Sequence, residues 1–137
     1  MKFKFKISEF FKEQKPLISL EIADKILVHI GILTPVRDIL NSPIYISQNS
    51  GYRSFEYEKL HGRSGKSEHV FRGGGAVDLT CDPEKMREMI RLLRMSDYRR
   101  VCYYPENNFV HCDLKRGKKK YYTCLPDEKW QLESIQA

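Results

Sequence analysis

The chain has 137 residues, enough for one domain that buries about two thirds of its unfolded surface, so no metal is needed merely to make a core. Its 41% hydrophobic and 31% charged residues exclude global disorder. The net charge of +6 favours an anionic partner without naming one, and much of it sits at Lys2, Lys4 and Lys6 and in Arg116-Gly117-Lys118-Lys119-Lys120, which read as a solvated terminus and a hairpin turn.

Between Leu20 and Ile30 the apolar residues Ile22, Ala23, Ile26, Leu27 and Ile30 recur at helical spacing. They predict an amphipathic helix that Gly31 and Pro35 end, with Val36 to Leu40 forming a second short one. His29 lies in the first of these without a partner ligand and reads as an ordinary helix residue. Pro43 to Ser47 predicts a strand running into the turn-rich Asn49-Ser50-Gly51-Tyr52-Arg53-Ser54. Phe55 to His61 predicts a short helix, with His61 on the surface, and Gly62 to Lys66 a polar loop. Asp82-Pro83-Glu84 is a helix start, followed by the apolar stripe Met86, Met89, Ile90 and Leu93. Arg100 to Tyr104 and Asn108 to Leu114 predict a hairpin around Pro105-Glu106-Asn107, and Lys119 to Leu125 a third strand continuing a meander. The tail after Pro126 is open between packing through Trp130 and fraying.

These elements predict a single domain over residues 1–137, with packing helices over about 1–42 and a core over about 43–125. The class is α+β with a mainly antiparallel sheet. Cys81, Cys102, Cys112 and Cys124 are too far apart for a CxxC knuckle and too few for a disulfide framework, so buried free thiols are expected. No stretch approaches the roughly 20 apolar residues of a membrane span. Glu9, Lys12, Glu13 and Lys15 break any signal-peptide core, so the chain is expected to stay in the cytoplasm unless another agent releases it.

The stretch from Ser67 to Thr80 combines His69, the three glycines Gly73, Gly74 and Gly75, and an apolar strand around Asp78. The glycines let the chain reverse, so the Asp78 carboxylate can face back toward His69 as a second metal ligand. His111, in Phe109-Val110-His111-Cys112-Asp113, is the best third ligand. Three protein ligands with an open position is the catalytic form of a zinc site. Period-two geometry puts Phe109, His111 and Asp113 on one strand face and Cys112 on the other. Asp113 is thereby set to hydrogen-bond a ligand imidazole from behind.

Three such residues alone are a weak signal, and their context raises it. Ser50-Gly51-Tyr52-Arg53-Ser54, Ser67-Glu68-His69 with Gly74-Gly75-Ala76-Val77-Asp78, and Phe109-Val110-His111-Cys112-Asp113 occur in an order and at separations that resemble the zinc D-alanyl-D-alanine carboxypeptidase family. That family includes vancomycin-resistance dipeptidases and phage L-alanyl-D-glutamate endopeptidases, and it shares its fold with the hedgehog signalling domain. The resemblance spans about residues 43–115. It implies one zinc ion held by His69, Asp78 and His111, substrate bound by Arg53, and Ser67 beside the site. It also implies a general base shortly before the last histidine, for which Glu106 is the candidate, with Asp113 or Glu68 as fallbacks. The chain departs from the pattern S-x-H-x-x-G-x-A-x-D by a step from His69 to Asp78 that is two residues longer.

The expected function is hydrolysis of peptidoglycan stem peptides by a metal-activated water, of the D-Ala-D-Ala carboxypeptidase or the L-Ala-D-Glu endopeptidase type. Such an enzyme without a signal peptide suits a phage endolysin released to the cell wall at lysis. The alternative is a zinc-binding recognition module of the same fold without catalysis. A nucleic-acid partner has only the net charge in its favour, since no nucleic-acid-binding motif is present.

Overall fold

The structure is a computed structural model and describes residues 5–11, 18–47, 51–63 and 66–136. Lys2, Lys4, Lys12, Glu13, Lys15, Asn49 and Ser50 lie outside them. After a 3-10 turn at Ile7–Phe10 come α1 (Leu20–Leu40), β1 (Tyr45–Ile46), α2 (Phe55–Leu60), β2 (Ala76–Thr80), α3 (Met86–Met95), β3 (Arg100–Tyr104), β4 (Phe109–Asp113), β5 (Lys119–Cys124) and β6 (Trp130–Gln136). The six strands form one sheet in the order β1-β2-β4-β3-β5-β6, antiparallel throughout except for the pair β3 and β5. This is the expected α+β class. No described helix is long and apolar enough to cross a membrane.

Helix α1 starts where Ser19 Oγ accepts from the Ile22 amide at 3.2 Å. It then runs straight through Gly31 and Pro35, against the expected stop. Pro35 removes only one backbone donor, the Thr34 hydroxyl bonds the Ile30 carbonyl at 2.7 Å, and the buried stripe Leu33, Val36 and Leu40 continues beyond it. Packing of that stripe against the core outweighs the local break. The helix ends at Asn41, whose left-handed backbone (φ 53°) closes a bond from its amide to Arg37 O at 2.9 Å.

The core joins Ile26, Leu33 and Leu40 of α1 and Met86, Met89 and Leu93 of α3 to Val77, Leu79, Val101, Val110 and Cys112 of the sheet. Cys112 thus faces the core and away from His111, as the alternation requires. All four cysteines are free and buried.

The expected meander is corrected in one respect. β5 does not lie beside β4, because β2 and β3 occupy both edges of β4. The chain passes instead to the free edge of β3 and pairs there in parallel, where Tyr121 Oη donates to Arg94 O at 2.8 Å and Lys119 Nζ donates to Ser96 O at 2.5 Å. The tail after Pro126 returns as β6, antiparallel to β5.

Helix α1 also holds the loop between His69 and Asp78. Lys25 Nζ donates to the Phe71 and Arg72 carbonyls at 2.8 and 3.2 Å. His29, fully buried, sits 2.9 Å from Gly74 O through Nε2 and 2.7 Å from Tyr98 Oη through Nδ1. A carbonyl can only accept, so Nε2 donates to Gly74, and neutral His29 accepts the Tyr98 hydroxyl at Nδ1. Phe71 takes a left-handed backbone (φ 60°), at a cost of roughly 1–2 kcal/mol. Its ring is 1% exposed, and burying it contributes about 3 kcal/mol, which outweighs that cost. A Cβ on Gly75 would stand 2.7 Å from that ring, and one on Gly74 would stand 2.6 Å from Leu114 Cβ, so both positions need glycine. His29 is therefore more than an ordinary helix residue: it ties α1 to the reversal that brings Asp78 back toward His69.

Burial lowers the His29 pKa from 6.5 to about 4, against the opposing bond to Gly74. Between those values the unfolded chain binds a proton that the folded chain does not, so stability is present above pH 6.5 and is lost as pH falls toward 4. Relative to a His29→Gln variant, the wild type should lose about 3 kcal/mol of unfolding free energy between pH 7 and pH 4. Denaturant melts of both proteins across that range test this, and parallel stability curves would contradict it.

Candidate metal centre

On the face of the sheet away from the core, register sets two rows of side chains. Asp78 stands opposite His111, which stands opposite Cys102. Ala76 stands opposite Asp113, which stands opposite Arg100. The third member of the set comes from off the sheet. His69 lies on a 3-10 turn, Glu68–Val70, whose first turn is capped by Ser67 Oγ accepting from the His69 amide at 3.2 Å. The Arg53 amide donates to His69 O at 2.7 Å, fastening that turn to the segment after Gly51.

His69, Asp78 and His111 each present one ligand atom, and these atoms lie within 4.8 Å of one another. His69 Nδ1 donates to Gly51 O at 2.9 Å, and its Nε2 lies 3.4 Å from Asp78 Oδ1. His111 is oriented the other way round: Nε2 lies 2.7 Å from Asp113 Oδ2 and Nδ1 lies 3.0 Å from Asp78 Oδ1. Each imidazole thus has its outer nitrogen tied to an acceptor and its inner nitrogen aimed at the same carboxylate oxygen. Two such imidazoles and a carboxylate fit a borderline divalent cation such as zinc, with the outer bonds fixing ring orientation.

Asp113 is fully buried and saturated with donors. Besides His111 it receives Arg100 Nε at 3.0 and 2.9 Å, Arg100 Nη2 at 2.6 Å and the Lys115 amide at 3.1 Å. Burial raises its pKa, but the bonds from His111 and Arg100 outweigh this and bring it down to about 2. The same balance holds Asp78 well below the usual carboxylate range: burial opposes ionisation, and the bonds from His111 and His69 win. For His111, burial disfavours the charge, yet the bonds to Asp113 and Asp78 push its pKa up to about 9. Both carboxylates are therefore anions at neutral pH, and the His111 proton lies where a cation would lie.

The triad opens into a cleft of about 330 Å³ lined also by Arg53, Lys66, Ser67, Glu68, Arg100, Tyr104, Lys115 and Trp130. Of the sequence candidates, His69, Asp78, His111, Asp113, Arg53 and Ser67 come together here. Arg53 is 16% exposed in its side chain, and its Nε is 4.0 Å from Glu58 Oε1 and makes no hydrogen bond. Glu58 itself is held by Arg63 at 2.9 Å. Glu106 is exposed in the turn joining β3 to β4 and does not line this cleft, whereas Glu68 does. The sequence does not place Arg100, Tyr104 or Trp130 at the site, and Trp130 stands out in it only as a packing residue of the tail. The period-two face of β3, carrying Arg100, Cys102 and Tyr104, is the signal that finds the first two.

A family model described as Peptidase M15 matches residues 4–113, and this span holds the whole triad. The chain belongs to the peptidase M15 family. Peptidases of this family are zinc-dependent, in keeping with the donor set. Comparison with curated proteins finds no match to this chain. The M15 match also carries the expected relation to zinc D-alanyl-D-alanine carboxypeptidases. The longer step from His69 to Asp78 does not disperse the triad, because Lys25 and His29 hold the inserted turn.

His111 would have to give up its Nδ1 proton to hold a zinc ion there, so binding should release about one proton and tighten about tenfold per pH unit from pH 6 until about pH 9. Chelator competition at several pH values reads this, and a zinc affinity independent of pH would contradict it.

Proposed function

We propose that this M15 family member is a zinc peptidase that hydrolyses peptidoglycan stem peptides, of the D-Ala-D-Ala carboxypeptidase or L-Ala-D-Glu endopeptidase type. The observation that carries the reading is the convergence of His69 Nε2, Asp78 and His111 Nδ1 in an open cleft, each imidazole already oriented by a second bond. His69, Asp78 and His111 would hold one zinc ion. The chemistry that zinc supplies when bound is polarisation of the peptide carbonyl and acidification of a water.

The other residues act around that centre. Asp113 keeps a proton of His111 on Nε2, so that Nδ1 is the nitrogen that would give up its proton to the metal. Arg53 lies along the cleft with a guanidinium that can take a substrate carboxylate through two parallel hydrogen bonds. Arg53, Lys66, Arg100 and Lys115 give the lining four cations against the carboxylates of Glu68 and Asp78, a balance that suits a peptide rich in carboxylates. Ser67, while capping the turn that carries His69, retains its hydroxyl proton for substrate.

Among the described residues lining the cleft, Glu68 is the one carboxylate outside the triad, so it is our assignment for the general base, in place of the turn residue Glu106. Glu68 would take a proton from the attacking water and return it to the leaving amine. For its substrate to be reached, the protein must pass to the cell wall, and release at phage lysis is one route consistent with this reading.

Incubation of purified stem peptides with the protein, with and without chelator, tests the proposal. Cleavage should be lost on chelation and restored by zinc. Glu68→Gln should lower kcat by about 10²–10⁴-fold, while Glu106→Gln should leave it within about twofold. Stoichiometric zinc without cleavage would contradict the enzyme and leave a zinc-binding recognition module. A large loss in Glu106→Gln alone would return the base to the turn.

A further inference from the structure

The family match ends at residue 113, and β5 and β6 lie wholly beyond it. These two strands nonetheless reach the metal centre. In the register of the sheet, Tyr122 stands opposite Cys102, itself opposite His111, and Trp130 stands opposite Cys124. The side chain of Trp130 therefore shares the face that carries His111 and lines the same cleft.

Its contacts there are specific. The indole and the His111 imidazole have centroids 5.1 Å apart at 54°. The Arg100 guanidinium lies over the indole, 5.0 Å from its centroid, while its nitrogens clasp Asp113. Trp130 Nε1 donates to Tyr104 Oη at 2.7 Å, which fixes the indole in its plane. Two routes thus run from Trp130 to His111: direct ring contact, and a relay in which the indole backs Arg100, Arg100 holds Asp113, and Asp113 holds His111 Nε2 at 2.7 Å.

We infer that the C-terminal hairpin completes the metal centre, with Trp130 acting as a positioning residue that holds His111 and Arg100 in the geometry the metal requires. The inference rests on the reading of His111 as a zinc ligand. Without the indole, the guanidinium loses the surface it stacks on, and the outer face of the imidazole opens to water. Loss of outer partners of a ligand histidine commonly weakens metal binding about 10–100-fold. The contact has its own optical readout, because Trp130 is the single tryptophan of the chain.

Zinc titration of the wild type, followed by indole emission and by chelator competition, is the first arm. Emission should change and saturate together with metal uptake. The second arm compares three variants for zinc affinity and melting temperature. Trp130→Ala and Trp130→Leu should bind zinc about tenfold more weakly, whereas Trp130→Phe, which keeps a ring over His111 and Arg100, should stay within about twofold of wild type. Trp130→Leu keeps apolar bulk at the position, so it decides the matter if Trp130→Ala does not fold. Variants that melt lower yet bind zinc as tightly as wild type would overturn the inference, as would wild-type emission that ignores bound zinc. A wild type that takes up no zinc would overturn the reading of the triad, and this inference with it.

Discussion

Asp78 and His111 stand directly opposite each other on neighbouring antiparallel strands, and the rest of the molecule is arranged around that pairing. Residues so paired have Cβ atoms about 4.5–5.5 Å apart, close enough for both side chains to share one ion. The pairing is also all-or-none. A slip of one residue would turn Asp78 and His111 into the core and bring Val77 or Cys112 to the cleft. The apolar inner face of β2 and β4, packed on α1 and α3, therefore sets the geometry of the polar outer face. Stability of the core and placement of two candidate ligands are consequences of a single register.

The outer face gathers charge that would be costly if unpaired. Asp113 is fully buried, and its cost is offset by Arg100, by the His111 ring and by a backbone amide. Asp78 faces two imidazoles, one of which keeps its proton to about pH 9. The electrostatics of the candidate site are thus organised by the protein alone, and under the proposed function a divalent cation would take the place of that proton. The third candidate ligand depends on elements further away. His69 rests on Gly51 O, and the turn that follows it is held by Lys25 and His29 of α1. This explains how a loop two residues longer than the family pattern still delivers Asp78 to the same place.

Much of this is legible in the sequence. Alternation along Phe109 to Asp113 separates His111 and Asp113 from Cys112, and the structure has that arrangement. The α+β class, the limits of β3 and, to within a residue at each end, those of β4 follow from period-two runs and a turn-rich insert. What local pattern misses is what depends on packing between distant segments. Gly31 and Pro35 look like a helix end because their effect is local, while the buried stripe that overrides them is tertiary. His29 looks idle because its partners, Gly74 and Tyr98, are 45 and 69 positions away. The placement of β5 beside β3 depends on which strand edges are already filled, and adjacency along the chain does not reveal it. Trp130 reaches the cleft only through that placement. Glu106 draws attention by its nearness in sequence to His111, yet the hairpin carries it to the far end of the strand, while Glu68 enters the cleft beside His69.

The central claim is that two imidazoles and one carboxylate converge on one cation. X-ray absorption at the zinc edge of the zinc-loaded protein tests it most directly, since Cys102 stands opposite His111 and thiolate ligation has a distinct signature. The account predicts a shell of nitrogen and oxygen alone at about 2.0–2.2 Å, with the multiple scattering of two imidazoles. A sulfur scatterer at about 2.3 Å, or a spectrum unchanged in His111→Ala, would contradict it.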